Sequence, residues 1–255
     1  AKHINKSKDG NAVTGTIVNA LAVALGGLAG LLFNKGISES LKDSIFKVEG
    51  VAVLIIGLNG LIANMFTAAR DGSLSDSGGM LLLLSLVLGT LCGELLRIDD
   101  RMNAFGVWVE HRMKAEGYVK GFVSASIIFC VGSMAIIGAL SDGLSGDSSV
   151  LFVKSVLDGV TAMILASTMG AGVLGAAVPV LLYQGAISLF ASSLSGLFDR
   201  FPELLSQISM VGYTIVLCIG INFLFGPKIK TANLIPSIFV PLLYNLLMMM
   251  KNLWR

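Results

Sequence analysis

The sequence predicts an all-α membrane protein with about eight transmembrane segments, internal repeats and short interfacial helices. Three observations lead there: apolar runs of span length, too few charges to coat a soluble domain, and glycine motifs that recur inside the runs. Of 255 residues, 55% are hydrophobic and 13% charged, with a mean hydropathy of +0.83. Soluble domains carry about 25% charged residues, so this chain cannot surround itself with a polar surface. Its 30 glycines and 11 methionines suit closely packed membrane helices.

A crossing needs about 20 mostly apolar residues. Such runs occupy roughly 14–34, 50–69, 79–97, 119–141, 150–170, 172–198, 208–226 and 232–250. The fifth and sixth abut through TMGAGVLGAA, and together they are too long for one crossing. They read as two crossings or as a re-entrant pair, which would leave seven full spans. Residues 14–255 form a single polytopic domain on this reading, behind a lysine-bearing lead, 1–13, that is either a natural extension or a remnant of cloning. The first run is not a signal peptide: it contains Asn19, has no cleavage site and ends in GGLAG. Lys and Arg are more numerous in loops 35–49, 98–118 and 227–231 than on the opposite side, which leans both termini to the outside.

Repetition within the spans is the most informative pattern. ALGGLAGLLFN (24–34) lies over VLGTLCGELLR (87–97), with Gly26 and Gly30 over Gly89 and Gly93. AISLFASSLSGLFDR (186–200) is a weaker third copy, with Ala191 and Ser195 in place of the glycines. An amphipathic segment follows each: ISESLKDSIFKV, IDDRMNAFGVWVEHRM and FPELLSQI. Helical spacing with a charged opposite face predicts helices lying in the interface. VLIIGLNGLI (53–62) then matches VLCIGINFLF (216–225), placing Asn59 over Asn222, and FVKSVLDG resembles KIKTANLIP, placing Lys154 over Lys230. The related units are 14–69, 79–141 with span 150–170, and 172–226 with span 232–250. An offset of three crossings inverts one copy relative to the other, as in many secondary transporters, whose sites lie near the midplane at broken helices. Pro179 in the sixth run, and Pro236 and Pro241 in the last, mark where breaks or simple kinks would fall.

Several polar residues lie at depth. Lys154 and Asp158 share one helix face about 6 Å apart along the axis, inside an apolar run. A charge at the bilayer centre is costly, so either the pair is a site or Lys154 snorkels to the surface with Asp158 following it. A short aspartate gains little from snorkelling, and Asp158 is the strongest candidate for binding a substrate or ion. Glu94 stands beside Gly93 with Arg97 available as a partner. Asn19, Asn59, Asn222 and Asn233 could offer carbonyls to a cation or bridge helices. Asp142 and Asp147, in LSDGLSGDSS, read as solvated turn residues or as an acidic vestibule.

Other chemistries lack a signature. Cys92, Cys130 and Cys218 lie in apolar runs without CxxC spacing, so neither metal sites nor disulfides are expected. His3 and His111 lie outside the runs, and there is no P-loop, HExxH or nucleophile elbow. An enzyme is therefore not expected, nor is a cofactor. The lysines form no basic face for nucleic acid.

Together GTIVNALAVALGG, LGTLCGELLRID, FCVGSMAIIGALSDGLSGD, VKSVLDG and TANLIPSI resemble the YqgA/YdfK family of uncharacterised bacterial inner-membrane proteins, domain-of-unknown-function family 554. The resemblance runs from about residue 14 to residue 250 and implies a multi-span helical protein of the bacterial cytoplasmic membrane. Members usually begin almost directly at the GTIVN motif, whereas AKHINKSKDGNAV precedes it here. The resemblance supplies no substrate. The sequence thus points to a small secondary transporter or channel for an ion or small polar solute. The alternative is a non-transporting membrane scaffold with structural charges, whose glycine-rich faces offer a surface for a homodimer. The lipid bilayer is a partner in either case.

Overall fold

In TGTIVNALAVALGGLAGLL no proline interrupts the run and every fourth position on one face is small, so the segment forms a helix that a neighbour can approach closely. It is α1, Thr14–Leu32. A computed structural model describes residues 13–32, 38–68, 74–76, 78–112, 118–130, 132–193, 201 and 203–253. The remaining helices are α2 (Glu39–Met65), α3 (Gly79–Leu96), α4 (Ile98–Arg112), α5 (Tyr118–Cys130), α6 (Ser133–Ser145), α7 (Ser149–Met169), α8 (Gly172–Gly175), α9 (Ala177–Ser193) and α10 (Leu204–Phe225). A 3-10 segment, Thr231–Phe239, leads into α11, Val240–Leu253. A two-stranded antiparallel hairpin, β1 (Phe66–Ala68) and β2 (Leu74–Asp76), joins α2 to α3.

Among the described residues seven helices are long and apolar enough to cross a membrane, and the number rises to eight with the bent pair α5–α6 counted as one broken span, the fourth in order. The fifth and sixth runs are two separate crossings, joined through Gly170 at φ +78° and the single turn of α8. The breaks fall partly where the prolines suggest. Pro236 lies inside the 3-10 segment, so the last crossing begins as an irregular half-helix. Pro179, by contrast, is the third residue of α9, where its missing N–H costs the helix nothing. The sharpest break, 60°, comes instead at Gly132 in the fourth crossing, whose backbone is extended (φ −171°, ψ 144°).

Of the three interfacial segments, only the second is a helix of its own, α4. The first is the opening of α2, capped by Ser38 Oγ accepting from Leu41 N–H at 3.3 Å, and it runs unbroken into the span. The third merges into α10. Gly50, just past Val48, does not interrupt α2, and no proline separates amphipathic turns from apolar turns at Val48 or Ile208, so the helix continues through both. The end of the third repeat copy, from residue 194 to residue 200, lies outside the described residues.

The glycines decide the packing. A methyl group at Gly26 would sit 2.1 Å from Gly159 O, and one at Gly30 would sit 2.2 Å from Met163 O, so α1 lies backbone to backbone along α7. Gly89 and Gly93 perform the same service between α3 and the 3-10 segment, where a methyl would meet Ser237 Oγ at 2.1 Å and Asn233 O at 2.0 Å. The glycine faces are thus occupied within the chain, while Leu25, Leu28, Leu91 and Leu95 face outward. The contacts of α2 and α10 are reciprocal: a methyl group at Gly57 would sit 2.8 Å from Leu217 N, and one at Gly220 would sit 2.9 Å from Leu54 N. Leu54 and Leu217, like Gly57 and Gly220, occupy matching repeat positions, so the antiparallel pair exchanges equivalent residues across its crossing point. Two apolar clusters fill the interior, one around α2, α6 and α10 and one around α1, α5 and α9. Helix α7 serves both, giving Val150 and Leu157 to the first and Ala162 and Ala166 to the second.

Gly26→Ala is expected to lower stability by about 1–3 kcal/mol, because overpacking must push α1 off α7. Gly132→Ala, with open space around its Cα, should change it by less than about 0.5 kcal/mol. Equilibrium unfolding of both variants in mixed micelles measures the contrast.

Candidate functional site

Because α7 is the helix shared by both cores, a charge on its inner face is buried whatever its partners. Lys154 and Asp158 are that face. Lys154 Nζ donates to Asp158 Oδ1 at 2.8 Å and to Oδ2 at 2.6 Å, with side chains only 7% and 9% exposed. The ammonium therefore does not snorkel; it is held inward. Asn19 of α1 adds a third bond, Nδ2 to Asp158 Oδ2 at 2.9 Å, and donates to Gln184 Oε1 of α9 at 3.2 Å. One carboxylate thereby ties α1 and α7 together and, through Asn19, reaches α9. Ser155 spends its hydroxyl on the Leu151 carbonyl.

This network borders a cavity of about 430 Å³. Lys154, Asp158 and Thr161 of α7 form one wall, Asn222 and Phe223 of α10 another, and Thr231 closes the start of the 3-10 segment. Gly132 and Met134 bring the break of the fourth crossing to the same space. Irregular backbone at membrane depth is tolerated where it lines a wet cavity, and two half-helices, α6 and the 3-10 segment, begin here. A larger cavity of about 560 Å³, between α4, α5 and α9, is lined almost wholly by apolar groups such as Met102, Phe105 and Phe122. Arg101 is its one charged residue, so the polar chemistry belongs to the smaller space.

The other sequence candidates separate cleanly. Asn222 lines the cavity, but its amide is engaged: Nδ2 donates to Ile229 O at 2.7 Å, and Oδ1 accepts from Lys228 N and Ile229 N, each at 2.9 Å. It shapes the turn that brings Thr231 into place. Its repeat counterpart Asn59 is exposed on α2 and does not reach the site. Asn233 and Glu94 form a second cluster: Asn233 Nδ2 donates to Glu94 Oε1 at 2.9 Å, while its Oδ1 accepts from Asp99 N at 2.8 Å. No ion pair joins Glu94 to Arg97 among the described residues; Arg97 instead ends α3 in the left-handed conformation at φ 49°. At the membrane surface beside this cluster, Lys230 pairs with Asp100 at 3.3 Å, and that hydrogen bond raises the ammonium's pKa above the ordinary lysine value.

Asp142 and Asp147 are not solvated turn residues. Asp142 is fully buried and accepts from Gly15 N at 3.0 Å and from Ser148 Oγ at 2.5 Å. It caps the start of α1, where unpaired N–H groups and the helix dipole favour a carboxylate. Asp147 is half-buried and accepts from Tyr213 OH and, at 3.0 Å, from Ser149 N. Neither lines the cavity.

Among the polar residues of the interior that escaped the sequence reading, Gln184 and Glu49 carry the most chemistry. Gln184 is fully buried on α9, and its one signal was an amide inside an apolar run. Glu49, 7% exposed on α2, has both carboxylate oxygens buried without a hydrogen-bond partner among the described residues, and it lies within electrostatic reach of Asp158. It stood at the boundary between an amphipathic segment and a span, so it read as the last loop residue; the continuity of α2 carries it inward.

Residues 14–246 match the model of a family described as "Protein of unknown function (DUF554)". The chain is 31% identical over 227 residues to "Uncharacterized membrane protein YdfK" of Bacillus subtilis (strain 168), covering 89% of this chain and 93% of that protein. It is 28% identical over 235 residues to "Uncharacterized protein YqgA" of Escherichia coli (strain K12), covering 89% of this chain and 94% of that protein. No solved structure matches it.

Asp158→Leu strands a buried ammonium and is expected to cost about 3–5 kcal/mol. Removing both charges together, as Lys154→Met with Asp158→Leu, should recover most of that loss. A double-mutant cycle read by reversible unfolding measures the coupling.

Proposed function

The chain belongs to the DUF554 family of membrane proteins, and on that footing we propose that it is a small secondary transporter or channel for an ion or small polar solute. The observation that carries the reading is the 430 Å³ cavity at the break of the fourth crossing, with Lys154 and Asp158 in its wall. A solute entering there meets an ammonium, a carboxylate and the openings of two half-helices. Asp158 binds a cationic group or proton, and Lys154 holds Asp158 in place until a bound solute competes for it.

The reciprocal contacts of α2 and α10 support an inverted repeat, since an antiparallel pair exchanging equivalent residues implies a two-fold axis in the membrane plane. On this model the cavity reaches toward the face that carries the 226–230 turn. The greater Lys and Arg content of that side's loops supports a cytoplasmic assignment, which puts both termini outside in a bacterial inner membrane. The scaffold reading draws on a different observation: Asn19 and Lys154 already satisfy Asp158, as a structural pair would require. It leaves the bare carboxylate of Glu49 without a role.

Solid-supported-membrane recordings on purified protein in liposomes, challenged with protons, sodium, potassium and small organic acids and amines, test the proposal. One of these solutes is expected to evoke a current that Asp158→Asn reduces by at least about tenfold. Electroneutral exchange would register as a solute-driven change of an entrapped pH dye, lost in the same variant. Absence of both signals overturns transport and favours the scaffold.

A further inference from the structure

Resting on the reading of this cavity as a transport site, we propose that the site binds one monovalent cation, a proton or sodium, and that Glu49 is the residue that holds it. The argument is a count of charge in a place that tolerates none. Asp158 and Lys154 cancel one another at 2.6 Å. Glu49, as buried as either, has among the described residues no cation beside it and no donor to either oxygen. An uncompensated carboxylate in such surroundings is penalised by several kcal/mol, so a mobile positive charge must complete the group. Water cannot do so where both oxygens are sealed from solvent.

The placement suits a cation that enters through the cavity. Glu49 immediately precedes Gly50, where an added methyl group would sit 2.9 Å from Phe223 Cβ, and Phe223 lines the cavity together with Asp158. The elements packed against α2 leave few other charges to consider. On α7 they are Lys154 and Asp158. On α10 the ionisable groups are Cys218 and Tyr213, which the antiparallel register of Gly57 against Leu217 sets level with Ile56 and Gly60, two or more turns farther along the helix. Asp158 is the acid whose charge is felt at Glu49, and a cation at Glu49 also relieves that repulsion. Such a cation competes with Lys154 in neutralising the two acids, which makes the lysine an internal substitute for the ion.

The test uses the full-length protein in lipid nanodiscs and reads binding rather than transport. Calorimetric titration with sodium chloride against choline chloride detects sodium; the infrared carbonyl stretch of a protonated carboxylic acid, followed by exchange into heavy water, detects a proton. One of the two signals is expected in the native chain, with Glu49→Gln weakening sodium binding by at least about tenfold or abolishing the infrared band. Lys154→Gln, which adds a second uncompensated acid, should strengthen sodium binding by about tenfold or add a second band, and it serves where Glu49→Gln does not fold. The proposal is overturned if the native chain gives neither signal. It is also overturned if the signal survives in Glu49→Gln, or if Lys154→Gln leaves it unaltered. A silent liposome assay with binding intact would sink the transport reading alone.

Discussion

Everything in this molecule is arranged around one carboxylate that the bilayer cannot solvate. Asp158 takes two contacts from Lys154 and one from Asn19, which in turn bonds Gln184, so helices α1, α7 and α9 meet at a single anion. In water such a pair would contribute little. At membrane depth the alternative is an isolated ion, and the network becomes a condition of folding. The small residues along α1 follow from the same need: only where Gly26 and Gly30 let the backbones touch can a side chain as short as Asn19 reach across to Asp158.

Interhelical polar bonds tie the helices together, and irregular backbone opens the space between them. The break at Gly132 and the 3-10 segment leave polar groups that a continuous helix would have paired internally. Both lie against the wall that holds Lys154 and Asp158. A bundle built only for stability would keep these elements regular. The same backbone that weakens the fold locally supplies the cavity with its polar lining.

The crossings, the glycine repeats and the Lys154–Asp158 pair were legible in the sequence because each rests on local spacing: apolar run length, a four-residue period of small residues, two charges one turn apart. Burial was less legible. Asp142 sits in a stretch that reads as a turn, yet it caps a helix 127 positions away in sequence, a contact no local pattern announces. Asn59 and Asn222 occupy matching repeat positions, but only one faces the interior, since repeats conserve helix pairing more strictly than surroundings. Glu49 was hidden by the smooth passage from amphipathic to apolar turns within α2, where composition shifts before the helix ends.

That passage has a mechanical side. Helix α2 is 27 residues long, about 40 Å at 1.5 Å per residue, against a hydrocarbon thickness of about 30 Å. The excess must be absorbed by tilt or by protrusion into the headgroups. A rigid rod anchored in this way converts a change in lipid chain length into rotation and vertical displacement. The depth of Glu49, and so the distance of its carboxylate from either membrane surface, is then set by the thickness of the surrounding membrane as well as by the protein.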